Sequence, residues 1–135
     1  MPMNDIMTDI EALGKAPNAP ILSIGAVVFD RVTGYVGSPD KQTAFYTCVD
    51  VVDACRYSIP DGDTVRWWMR QPDEARQTVM SGTISLDTAL GLLSLFIVDI
   101  ERACVGSEIR IWGNGPTYDM ARFRRCPPKG SPITL

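Results

Sequence analysis

The sequence feature that most constrains the fold is an uncharged run of nine residues, Ile21–Phe29 (ILSIGAVVF), which is rich in β-branched side chains. A shorter apolar run with one acid, Ile6–Ile10, precedes it, and a loop rich in glycine and proline at residues 14–20 separates the two. This spacing predicts two neighbouring antiparallel strands. The composition of Thr43–Val49 predicts a third strand.

Helix signals follow the predicted strands. Thr64–Gln71 contains helix formers, with capping residues before it and Pro72 after it, and Asp73–Met80 is expected to add a helical turn or two. Ser85 is a good N-cap for a helix over residues 86–100, where apolar side chains recur with a period near 3.6.

A last strand is predicted over Glu108–Trp112, and a helix is expected to begin at Thr117 or Tyr118. The order of elements describes an α/β fold with a mixed sheet. The 135 residues fit one domain, which we expect over residues 1–125. The remaining segment, 126–135 (CPPKGSPITL), is expected to form an irregular tail.

The sequence contains no histidine. This excludes Ser-His-Asp and Cys-His nucleophile systems, histidine-ligated zinc and histidine-bound haem. The four cysteines show no CxxC spacing, which argues against a zinc knuckle and indicates reduced thiols. A net charge of −3 gives no overall basic signal for nucleic acid, although a local positive face remains possible.

No targeting or membrane segment is evident. The first residues lack a basic region before an apolar run. The longest apolar stretch near a helix pattern, residues 89–100, is shorter than the roughly 20 residues that span a bilayer. We therefore expect a soluble cytoplasmic protein without a membrane partner.

An acid pair, Asp9 and Glu11, lies in the first predicted strand. Residues at i and i+2 of a strand point to the same face, so the two carboxylates converge on one place. Oxygen ligands suit Mg²⁺ or Mn²⁺ better than zinc. Asp119 follows the last predicted strand and can face the carboxyl end of the sheet. The alternative for Asp119 is a helix N-terminal carboxylate that interacts only with the helix dipole.

Four segments in the same order resemble the DnaQ-like, or DEDD, 3'-5' exonucleases of the ribonuclease H-like fold. They are IMTDIEALG with Asp9 and Glu11, APILSIGAVVFD at 19–30, TVRWWMRQ at 64–71, and WGNGPTYD with Asp119. Within that group they are most similar to the phage and bacterial 3'-5' exoribonuclease-type branch. The resemblance implies a ribonuclease H-like mixed sheet, in which three antiparallel strands are followed by helices and a further parallel strand. It also implies two-metal hydrolysis of single-stranded RNA or DNA from its 3' end.

The resemblance also implies roles for individual residues. Asp9 would bridge two divalent ions, Glu11 would hold the ion that carries the attacking water, and Asp119 would serve the other ion. Main-chain groups around Ala12 and Leu13 would meet the terminal nucleotide. Leu13 is a candidate wedge against the base of that nucleotide.

Three further residues are candidates for substrate contacts. Trp68 could stack on a base, and the alternative for it and for its neighbour Trp67 is core packing or a subunit contact. Adjacent helical residues lie about 100° apart, so one of the two rings is expected to be buried and the other peripheral. Arg122 could bind phosphate if its helix forms. Asn114 could touch substrate or simply shape its loop.

The sequence departs from the family pattern after Asp119. Family members carry a further segment with a general-base histidine and a final metal-binding aspartate, whereas this sequence has no histidine and no acid after Asp119. We therefore expect a C-terminally incomplete fold with weak or no activity, since loss of a general base costs about 10²–10⁴ in rate. An exposed sheet edge would favour a homodimer.

Two other functions stay open at this point. One is a noncatalytic prophage remnant that binds metal or nucleic acid or dimerises, which the missing third acid motif favours. The other is a ribonuclease H-like endonuclease or transposase-type domain, against which the WGNGPTYD segment argues.

Overall fold

The computed structural model describes residues 4–104 and 106–113. Along the chain the elements are strands β1 (Asp5–Ala12), β2 (Ile21–Phe29) and β3 (Ala44–Cys48), helices α1 (Val51–Ala54), α2 (Gly62–Met69), α3 (Asp73–Met80) and α4 (Leu86–Ala103), and strand β4 (Arg110–Trp112). Among the helices of these ranges, none has the length and apolar character needed to cross a membrane.

The four strands form one mixed sheet in the order β3-β2-β1-β4. β1 pairs with β2 in antiparallel fashion, from Asp5 opposite Phe29 to Glu11 opposite Ser23, and β2 pairs antiparallel with β3. β4 pairs parallel with β1, with Arg110 opposite Asp5. The predicted α/β fold, with three antiparallel strands and a further parallel strand, is confirmed.

One face of the sheet packs against α4. The even-numbered side chains of β1, including Ile6 and Ile10, are buried and share one apolar core with Leu90 and Leu93 of α4. Burying a leucine or isoleucine side chain contributes about 1.5–3 kcal/mol, so this layer supplies most of the apolar stabilisation. The odd-numbered residues of β1 consequently point to the opposite face.

Helix α3 packs against β2 and β3 on the face of the sheet opposite α4. Its Val79 is buried, whereas α2 has no buried residue. α2 is instead tied to β1 through polar contacts, which are described with the site. The odd-numbered face of β1 is therefore only partly covered, and an open cleft remains above it.

Local capping explains where the helices begin. The Ser85 hydroxyl accepts from the Thr88 amide at 3.1 Å, as predicted for the start of α4. Asp61 accepts from the Thr64 amide at 3.1 Å, so α2 begins at Gly62, before the predicted start at Thr64.

Some elements differ from the prediction or lie outside the described residues. Helix α1 is not predicted, because four residues are too few to show a period. β4 is shorter than predicted. The helix expected at Thr117 or Tyr118 and the tail at 126–135 fall outside the described part of the chain. Cys48, Cys55 and Cys104 are free thiols, as expected.

Candidate active site

Asp9 and Glu11 lie on the same face of β1, as their spacing predicts. On that face Asp9 is opposite Gly25, and Glu11 is opposite Ser23 of β2. The row of paired residues that begins at Asp9 and Gly25 continues to β3, because Gly25 also pairs with Tyr46. Gly25 and Ser23 are small residues, so their side chains do not fill the space beside the two carboxylates.

An open cleft of about 550 Å³ lies over this acid pair. The sheet contributes Asp9, Glu11, Ser23 and Gly25 to the lining of this cleft. The lining residues on the other side come from α2, from α3 and from the turn that joins these two helices: Trp68, Pro72, Glu74, Ala75, Thr78 and Val79. The described lining residues include three carboxylates and no lysine or arginine. The cleft is therefore acidic, which suits a cation.

Trp68 fastens α2 to the end of β1. Its indole Nε1 donates to the Ala12 carbonyl at 3.0 Å, and the side chain is half-buried. Trp67 is 54% exposed and meets the Trp68 ring edge to face at 5.1 Å between centroids. Trp68 is thus the more covered of the two rings, but neither ring is buried, so the expectation of one buried ring is not met.

A second groove, of about 410 Å³, lies on the other side of Trp68. It is lined by Lys15 and by residues of β1 and α2, and it shares Glu11 and Trp68 with the first cleft. Trp68 therefore stands between two openings that both reach Glu11.

The backbone after β1 is occupied by internal hydrogen bonds. The Leu13 amide donates to the Pro20 carbonyl at 2.9 Å, and the Leu13 carbonyl accepts from the Asp61 amide at 2.7 Å. With the Ala12 carbonyl bonded to Trp68, three of the main-chain groups predicted to meet a terminal nucleotide have structural partners. The wedge role of the Leu13 side chain stays a prediction.

Tyr46 is a residue of this cleft that the sequence analysis misses. Its hydroxyl oxygen lies 3.4 Å from the Cys48 sulfur. Partial burial raises the pKa of the Tyr46 hydroxyl; Cys48 and the negative charge of Glu11 raise it further, whereas a hydrogen bond from Ser23 lowers it. The alternation of β3 could have placed Tyr46 on a face, but only the strand register shows that the face is that of the acids.

Among the described residues the most buried acid is Asp5, at the far end of β1, which the sequence analysis does not single out. Asp5 is 4% exposed and accepts from Arg110 Nε at 2.8 Å and from Trp112 Nε1 at 3.0 Å, with Arg31 at 3.3 Å. The Arg110 hydrogen bond is the main reason that the pKa of Asp5 lies below its ordinary value. Buried Thr8 also donates to the Trp112 carbonyl at 2.9 Å. These bonds fix β4 beside β1.

Several predicted site residues lie outside the described part of the chain: Asn114, Asp119 and Arg122. Within residues 4–104 and 106–113, no three histidine, cysteine or acidic side chains come together in a group that could hold a metal ion. Asp99 and Glu101 belong to α4, which packs on the sheet face opposite the acid pair.

Comparison with known proteins identifies the family and the fold of the chain. Residues 4–129 match the family described as the 3'-5' exoribonuclease Rv2179c-like domain. No curated protein sequence matches the chain. Among solved structures, the chain is similar to the crystal structure of cell-death related nuclease 4 (CRN-4), with a TM-score of 0.50 over 91% of this chain and 9% sequence identity. The chain spans 40% of the length of that nuclease, and at this identity the similarity shows the fold alone.

The family match covers all described residues, and the solved nuclease has a similar fold over 91% of this chain. The resemblance to the DEDD group of the ribonuclease H-like fold is thereby confirmed. The chain belongs to the Rv2179c-like family of 3'-5' exoribonuclease domains.

Proposed function

We propose that this chain is a two-metal-dependent 3'-5' exonuclease that hydrolyses phosphodiester bonds of single-stranded nucleic acid. The observation that carries the proposal is the placement of Asp9 and Glu11 side by side at an open cleft, in a chain of an exoribonuclease domain family. The solved nuclease with a similar fold supports it at the level of the fold.

The residues present fit Mg²⁺ or Mn²⁺. The donor set consists of carboxylate oxygens, which hard divalent cations prefer, and Gly25 and Ser23 leave room beside them. Asp9 and Glu11, with Asp119 from outside the described residues, would hold the ions. When bound, two such ions supply an activated water and stabilise the leaving 3' oxygen.

In this proposal, side chains of the protein hold and orient the nucleic-acid strand. Trp68 keeps the end of β1 in place through the Ala12 carbonyl, and it lines both the cleft over the acid pair and the groove that reaches Glu11. An exposed Trp67 face is available for a base to stack on, which contributes about 1–3 kcal/mol per base. Leu13, Asn114 and Arg122 are the other proposed substrate contacts.

Turnover is expected to be slow. The sequence has no histidine to act as a general base, and the loss of such a base costs about 10²–10⁴ in rate. This favours a second candidate, a noncatalytic module that binds metal or nucleic acid without hydrolysis. Metal binding without product formation would favour the second candidate.

The test is digestion of 5'-labelled single-stranded RNA by stoichiometric protein in Mn²⁺, with single-stranded DNA in parallel. We expect a ladder that shortens from the 3' end, and Asp9→Asn should slow it by more than about 100-fold. Asp99→Asn removes an exposed acid from α4 on the opposite layer and should leave the rate unchanged. Internal cleavage products, or equal rates for the wild type and Asp9→Asn, would rule the proposal out.

A further inference from the structure

The cleft over the acid pair poses an electrostatic problem for a nucleic-acid strand. Its described lining residues contribute Asp9, Glu11 and Glu74 but no lysine or arginine. A strand brings one negative charge per phosphate into this acidic space. Bound cations can offset charge at the acid pair, but the phosphates also need hydrogen-bond donors from the protein.

Most side-chain donors that line the cleft are already used. The Trp68 indole donates to the Ala12 carbonyl at 3.0 Å, and the Thr78 hydroxyl donates to the Glu74 carbonyl at 2.8 Å. Ser23 is only 2% exposed. Tyr46 is 58% exposed, so it is the accessible donor among the described residues that line this cleft.

The sheet register brings Tyr46 close to the acids. Tyr46 pairs with Gly25, and Gly25 pairs with Asp9. A Cβ atom on Gly25 would lie 3.8 Å from the Tyr46 ring and 3.9 Å from the Asp9 carbonyl oxygen. Because glycine has no side chain, nothing on β2 separates the tyrosine ring from the strand that carries the acids.

The Tyr46 hydroxyl accepts hydrogen bonds from its described neighbours. The Cys48 thiol is the donor at 3.4 Å from the Tyr46 hydroxyl oxygen, and its sulfur also lies 3.3 Å from the Thr78 carbonyl. Ser23 hydrogen-bonds to the same hydroxyl. In these contacts the Tyr46 oxygen accepts, so its own proton can be donated to a ligand, and an anionic phosphate oxygen is a strong acceptor.

We propose that Tyr46 is a substrate-binding residue, whose hydroxyl donates a hydrogen bond to a backbone phosphate oxygen of the strand bound at Asp9 and Glu11. The proposal rests on the proposed nuclease function and adds a contact to the same cleft. A contact to the phosphate, which every nucleotide carries, would strengthen binding without selecting a base.

The test measures binding without turnover. A fluorescein-labelled single-stranded RNA octamer is titrated with protein in Ca²⁺ and followed by anisotropy. Tyr46→Phe keeps the ring over Gly25 and removes the hydroxyl, and it should raise Kd by about tenfold, as expected for one hydrogen bond to a charged group. Tyr57→Phe, a change at an exposed tyrosine outside the cleft lining, should leave Kd unchanged. Thermal unfolding should be the same for both variants.

A second measurement locates the contact. Octamers that carry one neutral methylphosphonate linkage should bind the wild type less tightly at one position, and Tyr46→Phe should lose that discrimination. A Tyr46→Phe variant with wild-type Kd overturns the proposal, even if Tyr46→Leu binds weakly, because the ring would then be the contact. Wild-type protein that binds no RNA would overturn the nuclease function as well.

Discussion

At the scale of single residues, the two ends of β1 use carboxylates in opposite ways. Asp5 is buried and surrounded by Arg110, Arg31 and Trp112, so its charge serves the fold. Asp9 is exposed at a cleft, where its charge is available to a ligand. Both are acids in the same apolar segment of the sequence. Asp5 differs from Asp9 because β1 pairs with β4, which brings Arg110, 105 residues further along the chain, into contact with Asp5.

The pH dependence of the free energy of unfolding should reveal the contribution of Asp5 to stability. Its pKa is lowered in the folded state, so its contribution is complete above the unfolded value near 3.9 and disappears as the pH falls through the folded value. Asp5→Asn should cost about 1–3 kcal/mol at pH 7, since hydrogen bonds to charged groups are lost while the arginine partners stay half exposed. Urea unfolding at pH 7 and at pH 2 measures this. A gap between wild type and variant that persists unchanged at pH 2 would contradict the assignment.

Trp68 and Trp67 offer a matched pair of changes. Trp68→Phe removes the donor to the Ala12 carbonyl and should lower the free energy of unfolding by about 1 kcal/mol. Trp67→Phe changes an exposed ring and should cost less than about 0.5 kcal/mol. Urea denaturation of the two variants gives the comparison. Equal losses would mean that the indole hydrogen bond does not hold α2 to β1.

At the scale of elements, α2 depends on its cap more than on burial, because none of its residues is buried. Asp61 accepts from both the amide and the hydroxyl of Thr64. Asp61→Ala should therefore cost about 1 kcal/mol. Asp63→Ala, which removes an exposed acid from the same helical turn, should cost about 0.5 kcal/mol or less, since it ends only a surface ion pair with Arg66. Chemical denaturation of both variants would test this, and a larger loss for Asp63→Ala would contradict it.

Most of the elements could be predicted because they carry a local signal. β2 is marked by its uncharged β-branched run, and α4 by its period and its Ser85 cap. α1 has no such signal, since Asp50 caps a helix of four residues. The strand order is non-local, and the parallel pairing of β4 with β1 was expected from the family resemblance rather than from any property of Arg110–Trp112.

At the scale of the whole molecule, the sheet separates stability from the candidate chemistry. The face toward α4 is apolar and buried, whereas the opposite face presents the acids to a cleft. The spacing of Asp9 and Glu11 was sufficient to predict that they share a face. It could not predict Tyr46, because that residue reaches the cleft through the register of two strand pairs and the missing side chain of Gly25.

Calorimetric titration of the chain with Mn²⁺ tests, without requiring turnover, the proposal that Asp9 and Glu11 hold a divalent cation. The wild type should bind Mn²⁺, and Asp9→Asn should weaken binding by more than about tenfold because a carboxylate ligand is lost. Asp99→Asn, on the opposite helical layer, should bind as the wild type does. Equal Mn²⁺ affinity in the wild type and Asp9→Asn, or no binding by the wild type, would mean that the acid pair does not hold the cation.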